Sequence, residues 1–195
     1  MKNVLAIAGS LRQLSYNRLL LRAAVESAPP GMGLLLYDGL GSVPLFDADL
    51  EASTGGGPAP VRDLRQKVAS AQALLIATPE YNHSLPGVLK NAIDWLSRQT
   101  PEGVLIGKPV AVIGASGGPS GTRLAQAALR QVLYATESLI LPSPSLFARD
   151  ASRLFDESGR LVDRPTRDRL QSILVALDRF IDGAASLSDR RPAPG

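Results

Sequence analysis

The chain has 195 residues, 45% hydrophobic and 20% charged, with 21 basic and 18 acidic side chains and a net charge of +3. That is ordinary globular composition, enough for one domain with a well-filled core, and it excludes a disordered chain. The complete lack of cysteine excludes disulfides, thiolate metal sites, iron–sulfur clusters and cysteine nucleophiles, and no metal is expected.

In chain order, residues 3–8 are an apolar run stopped by Gly9-Ser10, the pattern of a buried strand ending in a tight turn. Leu19, Leu20, Ala23, Ala24 and Ser27 then recur at helical spacing, with Ser15 or Asn17 able to cap the helix. The unit repeats as a strand over 34–37, a helix over 61–71, a strand over 73–77 and a helix over 85–96 with Pro86 in its first turn. A strand over 110–114, a helix over 120–134, a strand over 138–141 and the apolar stripe Leu170, Ile173, Leu174, Leu177 and Ile181 complete the pattern. Such alternation predicts an α/β fold, a doubly wound five-stranded parallel sheet with helices on both faces.

The expected domain is 1–185, with a frayed or disordered tail over 186–195. The connection over 39–60, with Gly55-Gly56-Gly57-Pro58, is long for a compact domain and reads either as a functional loop or as a surface excursion, semi-ordered around Pro44-Leu45-Phe46-Asp47. No apolar run approaches the roughly 20 residues that a spanning helix needs. The first apolar stretch leads into Gly9-Ser10-Leu11-Arg12 and not into a cleavage region, so no membrane and a cytoplasmic location are expected. Charges are interleaved, as over 149–169, and no nucleic acid partner is expected.

Ligands of open parallel sheets bind beyond the carboxyl ends of the strands. Three loops leave such ends here. The first carries Ser10, Arg12, Ser15 and Asn17 just before a helix N-terminus, where free N–H groups and a guanidinium suit a phosphomonoester. The second, Pro79-Glu80-Tyr81-Asn82-His83-Ser84, offers backbone amides and a flat side chain to a planar heterocycle. The third, Ser116-Gly117-Gly118, leaves N–H groups bare for ring carbonyls or nitrogens. Taken singly, Ser15 and Asn17 also read as plain caps, Arg12 as a solvated side chain, and the other two loops as tight turns.

Together the loops resemble the family of NADPH-dependent FMN reductases, flavodoxin-like proteins that include bacterial quinone, chromate and azo-dye reductases. The pattern G-S-L-R-x-x-S-x-N at 9–17 is similar to that family's phosphate loop, P-E-Y-N-H-S at 79–84 to its flavin-ring loop, and Ser116-Gly117-Gly118 to its third element. The likeness runs from about Lys2 to Leu141. It implies strand order 2-1-3-4-5 and bound FMN, with Ser10, Arg12, Ser15 and Asn17 on the phosphate. It places Pro79, Glu80, Tyr81 and Asn82 along the isoalloxazine, and Ser116, Gly117 and Gly118 at its far edge. NADPH or NADH would reduce the flavin at N5 and a small-molecule acceptor (quinone, azo, nitro, chromate or free flavin) would reoxidise it in a ping-pong scheme, with no obligatory side-chain acid or base. It also implies a homodimer or homotetramer, for which residues 85–96 and 39–60 are the candidate contact surfaces.

His83, the sole histidine, reads as a solvent-facing or packing residue before a proton donor, and Trp95 as a core or interface residue before a stacking one. The alternatives are a flavodoxin-type electron carrier, opposed by Arg12 and the net positive charge, and a non-catalytic FMN-binding regulator. A dinucleotide fingerprint needs three glycines where the first turn has only Gly9, and neither glycine loop continues into the Lys and Ser or Thr of a Walker sequence.

Overall fold

A computed structural model describes residues 1–98 and 103–188. Its elements in chain order are β1 (Lys2–Ala8), α1 (Tyr16–Glu26), β2 (Met32–Tyr37), α2 (Ala48–Ser53), α3 (Ala59–Ser70), β3 (Ala73–Ala77), α4 (Gly87–Leu96), β4 (Pro109–Ala115), α5 (Arg123–Ala135), β5 (Leu139–Ile140), β6 (Leu146–Ala148) and α6 (Arg164–Ser188). All strand pairs are parallel, in the order β2-β1-β3-β4-β5. Strands covered on both faces must be apolar on both. In β1, Val4, Ala6 and Ala8 pack with α1 and α6, whereas Leu5 and Ile7 pack with α3, α4 and α5.

The sheet departs from expectation at its far edge. The strand expected over 138–141 shortens to Leu139 and Ile140, with Leu141 N–H still donating to the Val110 carbonyl at 2.8 Å, and β6, which the sequence pattern did not suggest, joins the same edge of β4 through Leu146, Phe147 and Ala148. Pro142 and Pro144 lie between the two. Neither has an N–H to give to a ladder, so the edge breaks there and resumes beyond them.

The connection after β2 is ordered. It forms a 3₁₀ turn over Gly39–Ser42 and then α2, whose N-cap Asp47 accepts bonds from the N–H groups of Asp49 (2.8 Å) and Leu50 (3.4 Å). The Pro44 carbonyl accepts from Trp95 Nε1 and Asn91 Nδ2, both at 2.8 Å, and the Phe46 ring meets Trp95 edge-on at 5.0 Å. Trp95 is thus a core residue, fully buried, that staples this excursion to α4. Helix α4 starts at Gly87, with Pro86 at the N-cap and not inside the first turn.

Helix α6 runs through Ser188 and so takes in the first three residues of the expected tail. Ile181 and Ala184 still bury its inner face, and the Ser186 hydroxyl bonds the Asp182 carbonyl. The rest of the expected tail, 189–195, lies outside the described residues. Among the described residues no helix is long and apolar enough to cross a membrane.

Candidate active site

Strand register places three loop origins side by side. Ala8 pairs with Ala77 and Ala77 with Ile113, and the ladder continues as Gly9 N–H donates to the Ala77 carbonyl (2.8 Å) and Thr78 N–H to that of Ile113 (3.0 Å). The loops after β1, β3 and β4 therefore share one rim.

In the first loop Ser15, buried and extended, is the N-cap of α1, its hydroxyl accepting from Asn17 N–H at 3.2 Å. Asn17 is not a cap. Its buried amide reaches the end of β4, donating through Nδ2 to the Ala115 carbonyl and accepting at Oδ1 from Ala115 N–H, both at 2.9 Å. The first turn of α1 holds no acidic residue. Arg12 has its guanidinium 5.3 Å above the Tyr16 ring, and Tyr16 in turn stacks on Phe155 with centroids 6.0 Å apart.

The second loop closes as a two-residue hairpin, with Tyr81 and Ser84 exchanging two backbone bonds of 3.0 Å. Asn82 (φ 50°) and His83 (φ 64°) both sit in the left-handed region, as a type I′ turn demands. Asn tolerates that region by bonding locally, so Asn82 is explained by the turn itself. Tyr81, half exposed, brings its hydroxyl to 3.3 Å from Ser10 Oγ. Glu80 turns its carboxylate toward α5, accepting at Oε2 from the N–H groups of Leu124 (2.9 Å) and Ala125 (3.0 Å). The His83 side chain is 83% exposed, with Nδ1 3.6 Å from Glu80 Oε1.

In the third loop Ser116 is held on both sides, its N–H donating to the Ala148 carbonyl (2.9 Å) and its carbonyl accepting from Ala151 N–H (3.1 Å). Its hydroxyl accepts from Gly118 N–H at 3.1 Å. A Cβ built on Gly117 would meet nothing within 4 Å, so that backbone faces open space.

These loops enclose an open cleft of about 250 Å³ lined by Ser10, Arg12, Ser15, Asn17, Pro79, Glu80, Tyr81, Ser116 and Gly117, together with Tyr16 and Ala115. Asn82 and Gly118 are not in its lining. Asn82 forms the hairpin tip, and the Gly118 carbonyl accepts from Gly121 and Asp150 N–H groups, so both act as turn residues beside the cleft. Tyr16 and Ala115 were missed by motif reading. Tyr16 is a variable position inside the first pattern, and Ala115 could have been found from strand ends alone, since it closes β4 beside two other rim loops.

A family model for NADPH-dependent FMN reductases matches residues 2–152. The chain belongs to that family. An NAD(P)H-dependent FMN reductase of Pseudomonas aeruginosa is 45% identical over 178 residues, covering 91% of this chain and 94% of the relative. A quinone reductase of Escherichia coli is 37% identical over 179 residues, covering 91% of this chain and 94% of the relative. Among solved structures, FerB of Paracoccus denitrificans, described as a flavoenzyme NAD(P)H:(acceptor) oxidoreductase, superposes with a TM-score of 0.85 at 33% identity, covering 94% of this chain and 99% of that one. This FMN reductase family member is an oxidoreductase that uses FMN with NAD(P)H as its co-substrate.

The residues present fit that cofactor. At the start of α1 the N–H groups of Tyr16 and Arg18 have no partner among the described residues, as the first turn of a helix requires unless an anion or water supplies one. Ser10 and Ser15 are buried and line the same cleft, and Arg12 makes no ion pair among the described residues. The guanidinium, the open amides and the two hydroxyls, which keep O–H donors beside the bonds they accept, suit a dianionic phosphate.

Proposed function

We propose that this FMN reductase passes electrons from NAD(P)H to quinone-class acceptors in a ping-pong scheme, with FMN seated in the cleft at the carboxyl ends of β1, β3 and β4. The observation that carries the reading is the acid-free N-terminus of α1, where Ser10, Ser15 and Arg12, which has no ion pair among the described residues, line one cleft. Ser10, Arg12 and Ser15 hold the phosphate with their side chains, and Asn17 contributes by its place in the wall because its amide is spent on Ala115. The backbone of Pro79, Glu80 and Tyr81 lines the isoalloxazine, with Asn82 shaping the hairpin. Ser116 and Gly117 approach the far edge, and Gly118 fixes their turn.

When bound, FMN supplies the redox chemistry, taking a hydride from NAD(P)H and delivering it to the acceptor. The chain binds, orients and shields, and no side chain is required to move a proton. The half-exposed Tyr81, which lines the cleft, offers a flat face suited to a planar acceptor, and quinone reductases stand among the relatives. The protein acts in the cytoplasm as a homodimer or homotetramer, using α4 and the excursion that carries the 82% exposed Leu45 as contact surfaces. Light scattering that finds a monomer would remove this last element.

The test is a visible absorbance scan of protein with added FMN, followed by NADPH without oxygen and then a benzoquinone. The expected result is bound-flavin bands that bleach with NADPH and return with the quinone, along with parallel double-reciprocal lines in steady state. Bound flavin that stays oxidised would overturn the reductase reading, and no binding would overturn the site.

A further inference from the structure

Helix α5 begins without a cap of its own. Thr122 at the N-cap makes no side-chain bond to the helix amides, and the first turn contains Arg123 but no acidic residue. A helix N-terminus has free N–H groups and a partial positive charge, so a cation there is the wrong sign. Both needs are met from 44 residues upstream by Glu80 Oε2, which accepts from Leu124 N–H at 2.9 Å and Ala125 N–H at 3.0 Å. The Glu80 side chain is only 11% exposed, which shields these charge-assisted bonds from water.

Two other ties cross the same rim. Asn17 joins the first loop to the end of β4, and Tyr81 reaches Ser10, joining the second loop to the first. Glu80 supplies the remaining side of the triangle, from the second loop to the helix that follows the third. The strand ladder holds the loop origins together, and losing the Glu80 side removes the direct tie between the ring loop and the start of α5.

We infer that Glu80 is a positioning residue, whose carboxylate clamps the ring loop onto the N-terminus of α5 and thereby fixes the width of the FMN cleft. The inference rests on the placement of FMN in that cleft. Glu80 acts through the loops, since its carboxylate is bonded to the start of α5.

The experiment compares wild type, Glu80→Ala, Glu80→Gln and the double variant Glu80→Ala/Arg123→Glu. FMN affinity is followed by flavin fluorescence, the Leu124 and Ala125 amides by hydrogen exchange of the FMN-free protein, and stability by thermal unfolding. Glu80→Ala should speed both amides and weaken FMN binding by roughly tenfold, whereas Glu80→Gln, whose amide oxygen can still accept both bonds, should recover most of the loss. Arg123→Glu places an acidic residue in the first turn of α5 without reconnecting the loops. It should restore thermal stability to Glu80→Ala and leave FMN affinity low.

Recovery of affinity together with stability would overturn the assignment, because Glu80 would then serve the helix alone. Wild-type affinity in Glu80→Ala would overturn it as well. If Glu80→Ala does not fold, Glu80→Asp, one methylene short of α5, takes its place in the same comparisons. A wild type that takes up no FMN would overturn the site reading and this inference with it, whereas tight binding by every variant overturns the inference alone.

Discussion

Arg12 is exposed, rests over the Tyr16 ring and makes no ion pair among the described residues, so its charge is free for a ligand and contributes little to the fold. Arg12→Ala should weaken FMN binding by about 2 kcal/mol, the value of a charge-assisted hydrogen bond, and leave the thermal midpoint of the FMN-free protein unchanged. Titration calorimetry that finds no change would remove Arg12 from the phosphate site. Arg12→Lys should fall between the two, since an ammonium keeps the charge but lacks the planar fork. At this scale the sequence gives the type of chemistry better than its geometry. Ser15 is legible as a cap because capping is local. Asn17 is not legible as the partner of Ala115, because that bond spans 98 positions and local pattern carries no trace of it. Glu80 likewise reads as a ring-loop residue until α5 is seen beside it.

Packing between elements explains why two glycines of the third strand-loop segment should behave oppositely. A Cβ on Gly114 would lie 2.2 Å from Thr122 Oγ1 and 2.4 Å from the Thr78 carbonyl, so β4 and the start of α5 touch only because no side chain intervenes. Gly114→Ala should cost about 1–3 kcal/mol, lowering the midpoint by several degrees, since a backbone carbonyl cannot swing away as a side-chain tip can. Gly117→Val meets open space in the FMN-free protein and should keep its stability, yet fill the ring edge of the cleft and weaken FMN binding. Thermal scans with and without FMN separate the two, and normal flavin binding by Gly117→Val would place the third loop outside the pocket. The elements with strong apolar periodicity, such as α4 and α6, were legible along with the parallel sheet, while the strand order came from the family resemblance. The far edge and the excursion were not. β6 is three residues long and shows no alternation of its own, and α2 is a short helix whose one clear signal is its Asp47 cap, read instead as part of a semi-ordered loop.

Across the whole molecule a cation, Lys2, bridges the first strand to the last helix. Lys2 Nζ donates to the Asp178 carbonyl at 2.7 Å and pairs with Asp178 Oδ1 at 2.8 Å and Asp182 Oδ2 at 2.9 Å. α6 already buries Leu170, Ile173, Leu174 and Leu177 against the sheet, so the ion pairs add register to a contact that the hydrophobic effect supplies. The hydrogen bond to Asp178 raises the Lys2 pKa above its usual 10.5, opposed in part by burial and helped by Asp182. A base whose folded pKa exceeds its unfolded value binds its proton more tightly when folded. Its contribution is therefore complete below about pH 10.5 and is lost as pH rises through the folded value. Lys2→Met should lower the midpoint by about 1–3 °C at neutral pH, as partly exposed pairs do, and the gap to wild type should shrink as pH is raised above that value. Thermal unfolding from pH 7 to 11.5 measures both curves. A gap that stays constant through the alkaline range would mean that the aliphatic stem of Lys2, and not its charge, holds the two ends of the chain together.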